Sequence, residues 1–199
     1  MGDLLLVRHG ETEWSRTGQH TSWTDLALTE NGRAQARAVG PLITSRRIAA
    51  VLCSPRLRAR ETAELAGLGE PILDEDLTEW DYGAYEGITT AEIHTTRPGW
   101  FLFRDGVPEG PPEHPGETPE QVGLRADRVL ARADAMLSET EGDVVLVAHG
   151  HLLRVLTARR LGLPPAAGGL FQLATATLGR LGTERGRPVV AEWNLRPGL

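Results

Sequence analysis

The chain has 199 residues, 40% of them hydrophobic, and a formal net charge of −6. That length can bury the core of a single domain, expected over 1–199, and the acidic balance argues against general affinity for nucleic acid or anionic membranes. All 21 basic residues are arginine, which excludes Schiff-base lysine chemistry and a P-loop lysine. No apolar stretch is long enough to cross a bilayer and the N-terminus lacks a signal-peptide pattern, so no membrane partner and a cytoplasmic location are expected. The lone Cys53 forbids an internal disulfide and, at the end of an apolar run, reads as a small core residue. Homo-oligomerisation is left open.

In chain order, Leu4–Val7 has the character of a buried strand of a parallel sheet, and it drives straight into Arg8-His9-Gly10-Glu11-Thr12. Ligands of open α/β sheets gather beyond the carboxyl ends of such strands, which is where His9 falls. Gly10 is expected to permit a sharp turn and the close approach of a ligand. After an irregular loop, Thr29 is a credible N-cap for a helix of about four turns, whose alanine-rich stretch to Ile43 supplies the buried side. A strand is expected near Val51, a helix from Arg58 to Leu68 and a short strand at Ile72-Leu73. Between Pro98 and Pro119, six prolines and four glycines punctuate a segment that carries Trp100, Phe101 and Phe103. This reads as a loop, and its aromatics favour an ordered cover over a pocket mouth. Thr118-Pro119-Glu120-Gln121 is a capping box with proline at the first helical position. Val122, Ala126, Val129, Leu130, Ala133, Met136 and Leu137 then form the buried stripe of that helix, with Arg125, Arg128 and Arg132 on its solvated face. A second buried strand, Val144–Ala148, ends in His149-Gly150-His151, and a helix from Leu152 to Leu161 follows. Strands at Val189–Leu195 and within Phe171–Leu181 close the chain. The alternation predicts an α/β fold, a three-layer α/β/α sandwich with a mainly parallel mixed sheet.

Two histidines, each at the end of a buried strand and followed by glycine, suggest two walls of one pocket. Between them lie Cys53–Ala63, with the frame S-P-x-x-R-A-x-x-T-A, and Leu77–Gly87, with the frame L-x-E-x-x-x-G-x-x-E-G. In this order the four motifs resemble the histidine phosphatase superfamily, which includes the cofactor-dependent phosphoglycerate mutases, from about Leu4 to His151. The loop Gly18–Asp25 and the stretch Glu79–Gly87 are similar to a branch of broad acid phosphatases and sedoheptulose-bisphosphatases. The resemblance implies a phosphoglycerate mutase-like fold.

A phosphomonoester is dianionic near neutral pH and repels anionic nucleophiles. A neutral imidazole avoids that repulsion and can pass the phosphoryl group on to water. The resemblance puts this role on His9 and makes Arg8 and Arg58 phosphate ligands, each a planar fork of donors. His149 adds a further donor, cationic if the dianion protonates it. Glu79 would protonate the departing alkoxide and then take a proton from water, with Asp81 and Glu86 as rivals. Further substrate contacts are expected at Ser15, Thr21, Ser22, Tyr82, Arg104, Gly150 and His151. Ser15 stands where many members have asparagine, and serine reaches less far. Arg104 is the one arginine inside the cover loop. His151 reads equally as a substrate contact or a helix-start residue, whereas His20, His94 and His114 read as ordinary polar residues. With this much cationic charge, no metal and no cofactor are expected.

The expectation is therefore a metal-independent phosphomonoesterase acting on a small phosphorylated metabolite, a sugar phosphate or a broad range of esters, through a phosphohistidine. The alternative is a cofactor-dependent phosphoglycerate mutase, which must hold the phosphoryl group and exclude water. The short cover and Ser15 argue against it. A catalytically dead phospho-ligand binding protein is disfavoured because all five chemical positions are filled.

Overall fold

The computed structural model describes residues 2–197, so the extreme ends of the expected 1–199 domain lie outside the described residues. Six strands, Leu4–Arg8 (β1), Ile48–Cys53 (β2), Ile72–Leu73 (β3), Asp143–Ala148 (β4), Leu178–Glu184 (β5) and Arg187–Leu195 (β6), form one sheet in the order β3-β2-β4-β1-β5-β6. β1 to β4 pair parallel with one another, and the β5–β6 hairpin adds antiparallel to β1. The helices are Glu13–Thr17 (α1), Glu30–Thr44 (α2), Leu57–Leu65 (α3), Thr90–Thr96 (α4), Leu102–Asp105 (α5), Pro119–Glu139 (α6) and Gly150–Arg160 (α7).

The central strands are apolar at nearly every position because both faces of the sheet are covered. Alternate side chains divide between two cores. Leu4, Leu6, Leu52, Val144 and Leu146 meet the apolar faces of α6 and α7. Leu5, Val7, Val51, Cys53, Val145 and Val147 meet those of α2 and α3. The result is the expected three-layer sandwich. Cys53 is a buried core residue, its thiol pushed up to about 12 by burial. No helix among the described residues is long and apolar enough to cross a membrane.

The caps fall where the residue types put them. The Thr29 side chain accepts from the Gly32 amide at 3.0 Å, and Thr118 and Gln121 cap each other's backbone at the start of α6. Three helices fall where no helix was expected. α1 and α4 each carry a reciprocal capping box, Thr12 with Ser15 and Thr89 with Glu92, and α5 is a single turn inside the cover segment. Arg125 departs from the solvated-face reading, whereas Arg128 and Arg132 keep that exposure while pairing with carboxylates. Arg125 forks onto Glu117 and donates to the carbonyls of Asp76, Thr78 and Glu79, while Arg128 and Arg132 pair with Asp74 and Asp76. They pin the segment that carries Glu79.

Gly10 is small for a reason other than a ligand. A Cβ there would lie 2.4 Å from the Gly32 carbonyl oxygen, so the close neighbour is the first turn of α2. Gly32 is equally constrained, its Cβ position only 2.0 Å from the Glu11 carbonyl oxygen.

Candidate active site

β1 and β4 lie side by side and end together, Arg8 opposite Ala148, so the residues that follow each strand meet at one edge of the sheet. The rings of His9 and His149 stand edge to face there, with centroids 5.2 Å apart. A cavity of about 310 Å³ opens at this edge. Of the expected site residues, Arg8, His9, Ser15, Thr21, Glu79, Tyr82, Gly150 and His151 line it. Arg58, His149 and Ser22 are buried and are absent from that lining, and Arg104 is also absent from it.

The Nδ1 atom of His9 lies 2.8 Å from the Gly10 carbonyl oxygen. A carbonyl only accepts, so Nδ1 carries the proton and Nε2 keeps a lone pair. Burial holds the His9 imidazole well below its ordinary range, and the Arg58 and Arg8 guanidiniums push the same way. The ring is therefore neutral, with a bare nitrogen. Beside it, Arg8 donates from Nη1 to the Leu173 carbonyl at 2.6 Å, while its Nε is buried without a hydrogen-bond partner. That guanidinium lies against the start of α7, where a Cβ on Gly150 would sit 3.1 Å from both Cζ and Nε of Arg8. Gly150 thus makes room for Arg8.

Arg58 is fully buried behind this pair. Its Nε donates to His149 Nδ1 at 3.2 Å, and its terminal nitrogens hold the carbonyls of Thr21, Ser22 and Thr24. Because Nδ1 of His149 accepts, its Nε2 carries the proton, and this atom lies 2.7 Å from the Ser54 hydroxyl. Burial, reinforced by Arg58 and then His9, keeps His149 well below the ordinary imidazole range. The expected cationic donor is, in the free protein, a neutral ring with both nitrogens engaged. Thr62 joins the two motifs: its Oγ1 accepts from the Gly10 amide at 3.0 Å and donates to the Arg58 carbonyl at 2.6 Å. The sequence carried that threonine in the S-P-x-x-R-A-x-x-T-A frame without indicating its task.

Glu79 sits across the cavity at the start of α7. Its Oε1 accepts from the amides of Trp80 and Leu152 at 2.8 and 2.9 Å, and its Oε2 accepts from the His151 amide at 3.0 Å. A helix N-terminus offers unpaired N–H groups and a partial positive charge, so it orients a carboxylate well. The rivals have other duties. Glu86 accepts from the amides of Ser22 and Thr24, and Asp81 from Gly83.

The remaining expectations divide. Ser15 lines the cavity, but its hydroxyl is spent on Thr12 in the capping box of α1. Thr21 lines the cavity with its hydroxyl on the Gln19 carbonyl. Ser22 supports the wall, with its carbonyl on Arg58 and its hydroxyl 3.4 Å from the Glu79 carbonyl. Arg104 turns away onto Asp105 and the Gly99 carbonyl, because a carboxylate is its sequence neighbour. The arginine that does line the cavity beyond Arg8 is Arg154, held by the Gly168 and Gly169 carbonyls and stacked 4.4 Å over the Phe103 ring. His20 was also missed. It is buried at the cavity wall and fixed by its Nδ1, 2.6 Å from the Ile88 carbonyl. Trp100, Phe101 and Phe103 of the cover segment line the cavity as expected. Among the described residues no group of three or more His, Cys, Asp and Glu side chains is disposed to hold a metal ion.

The chain is similar to known proteins over nearly its whole length. The family model for branch 1 of the histidine phosphatase superfamily matches residues 4–196. An acid phosphatase of Mycobacterium tuberculosis is 43% identical over 185 residues, covering 92% of this chain and 87% of the relative. The sedoheptulose 1,7-bisphosphatase of Saccharomyces cerevisiae is 37% identical over 188 residues, covering 80% of this chain and 67% of the relative. A solved structure of an open-reading-frame product from Mycobacterium tuberculosis superposes with a TM-score of 0.91 at 40% identity, over 99% of each chain.

Proposed function

The chain belongs to branch 1 of the histidine phosphatase superfamily, and from that premise we propose that it hydrolyses small phosphomonoesters through a phosphohistidine at His9, without a metal. Relatives named as phosphatases support the hydrolytic reading. One observation carries the mechanism. The neutral His9, its Nδ1 committed to Gly10, presents a free Nε2 to a cavity that Arg8 also lines. A phosphoryl group seated there would lie beside the Arg8 guanidinium and give that lone pair an electrophile.

In the first step Nε2 of His9 bonds to phosphorus as the ester P–O bond breaks, and Glu79 delivers a proton to the leaving oxygen. In the second, Glu79 takes a proton from water as the water oxygen displaces His9, giving inorganic phosphate and restoring the enzyme. Charge spread over the phosphoryl oxygens is met by Arg8 directly and by the field of the buried Arg58 guanidinium from behind. Arg58 also fixes the His149 ring through Nδ1. These cations supply the charge neutralisation that a divalent ion gives in other phosphoryl-transfer sites.

The test is phosphate release from phenyl phosphate and ribose 5-phosphate in excess EDTA, alongside conversion of 3-phosphoglycerate in the presence of 2,3-bisphosphoglycerate. Hydrolysis that persists through chelation and outruns isomerisation is expected. Loss of hydrolysis on chelation, restored by zinc or magnesium, would overturn the metal-free reading. Isomerisation outrunning phosphate release would make the protein a mutase.

A further inference from the structure

We propose that Trp193 and Asn194, on the edge strand β6, are positioning residues for Arg8, whose guanidinium they aim through Leu173. The proposal rests on the phosphatase reading, in which Arg8 meets the phosphoryl oxygens. Among the described residues the Arg8 side chain makes one hydrogen bond, from Nη1 to the Leu173 carbonyl at 2.6 Å. An arginine side chain is long and rich in rotamers, so that carbonyl decides where the fork of donors points. It can do so only if it is itself held, and β6 holds it from both sides. The Trp193 indole N–H donates to the Gln172 carbonyl at 2.6 Å, and Asn194 Oδ1 accepts from the Ala174 amide at 2.8 Å. Leu173 lies between these two anchors with its side chain in the core. The same strap grips the end of β1, because the Ala176 amide donates to the carbonyls of Arg8 and His9 at 3.0 and 3.1 Å.

The local backbone is shaped for this contact. Between the pairs Leu178↔Leu195 and Arg180↔Glu192 the register slips, a bulge that sets both Trp193 and Asn194 against Gly179. A Cβ on Gly179 would lie 3.0 Å from the Trp193 ring, so the glycine leaves room for the indole. Asn194 has φ +54° and Ala176 has φ +48°, in the left-handed region that few residues other than glycine adopt. A plain edge strand needs neither the bulge nor the left-handed asparagine. Both occur where β6, two strands away from β1 in the sheet, reaches toward Arg8.

Inorganic phosphate, as a competitive inhibitor of phenyl phosphate hydrolysis, reads the Arg8 contact separately from the chemical steps. Asn194→Gly keeps the left-handed backbone and removes the acceptor, while Trp193→Phe keeps a ring over Gly179 and removes the donor. Each should raise Ki for phosphate and KM for phenyl phosphate by about three- to tenfold, the scale of a partly lost hydrogen bond to a charged group, with a smaller fall in kcat. Val190→Ala is the control, since Val190 pairs with Leu181 on the same strand, away from the strap. It should leave Ki unchanged, because a loss of folded protein lowers kcat without moving an inhibition constant. Ki unchanged in both Asn194→Gly and Trp193→Phe, or raised equally by Val190→Ala, would overturn the proposal while wild-type hydrolysis leaves the phosphatase reading standing. A wild-type protein that does not hydrolyse phenyl phosphate would overturn both. The two variants remove separate bonds, so if one misfolds the other decides.

Discussion

The proposed role of His9 as nucleophile rests on its other nitrogen being occupied. The Gly10 carbonyl fixes the proton on Nδ1, and burial with two nearby guanidiniums keeps a second proton off Nε2. Glu79, the proposed acid, lines the same cavity and is oriented by the first amides of α7. If it protonates the leaving oxygen, Glu79→Gln should slow sugar phosphates by about a hundredfold. Aryl phosphates, whose phenolate departs without help, should lose far less. Equal losses in steady-state kinetics on the two ester types would move the acid role to another group. His9, Arg8, Glu79 and Tyr82 were legible because each sits in a motif with fixed spacing. His20 and Arg154 were not, since a loop histidine and one arginine among 21 carry no periodic signal. Arg104 looked the better candidate for a substrate contact only because the chain does not reveal that Asp105 captures it.

At the level of elements, the site depends on how α3 is tied to the end of β1. Beside the apolar packing, Thr62 bridges them by hydrogen bonds, accepting from Gly10 and donating to Arg58. Thr62→Val should cost about 1–3 kcal/mol, the range for stranding a buried amide. It should also lower kcat by about tenfold or more, because the peptide that anchors His9 Nδ1 loses its hold. Thr157→Val is the control: Thr157 is buried on α7 and donates only to the Leu153 carbonyl. Thermal unfolding and kcat measured together decide the matter. A Thr62→Val protein that loses stability and keeps its kcat would show that the bridge is merely structural. The long elements were legible from their apolar runs, the Thr29 and Thr118 caps and the α6 stripe. α1, α4 and α5 were not, being 5, 7 and 4 residues long. That is too short for a 3.6-residue period to repeat, and only their capping boxes or turn contacts mark them.

Across the whole molecule, alternation of strand and helix foretold three layers. The sheet order and the antiparallel hairpin at its edge depend on long-range pairing that local pattern does not encode. Burial has a further global effect. His9 and His149 are held neutral in the fold, well below the value of about 6.5 that an unfolded imidazole has. Below that pH the unfolded chain takes up protons that the folded protein refuses, so stability is fully present above about pH 6.5 and falls as pH drops. The slope is up to about 1.4 kcal/mol per pH unit for each such imidazole. Urea midpoints should therefore decline between pH 6.5 and 5, before most carboxylates titrate, and His9→Gln should make the decline shallower. A midpoint flat across that window in the wild-type protein would contradict the neutral assignment.

Covalent capture is the most direct test of the phosphohistidine account. The protein is mixed with phenyl phosphate, quenched in alkali within the first turnovers, where phosphohistidine survives, and its peptides are mapped by mass spectrometry. A phosphoryl group on the peptide containing His9, absent from His9→Ala together with phosphate release, is the predicted result. Undiminished phosphate release by His9→Ala, or labelling at another residue while His9 stays unmodified, would contradict it.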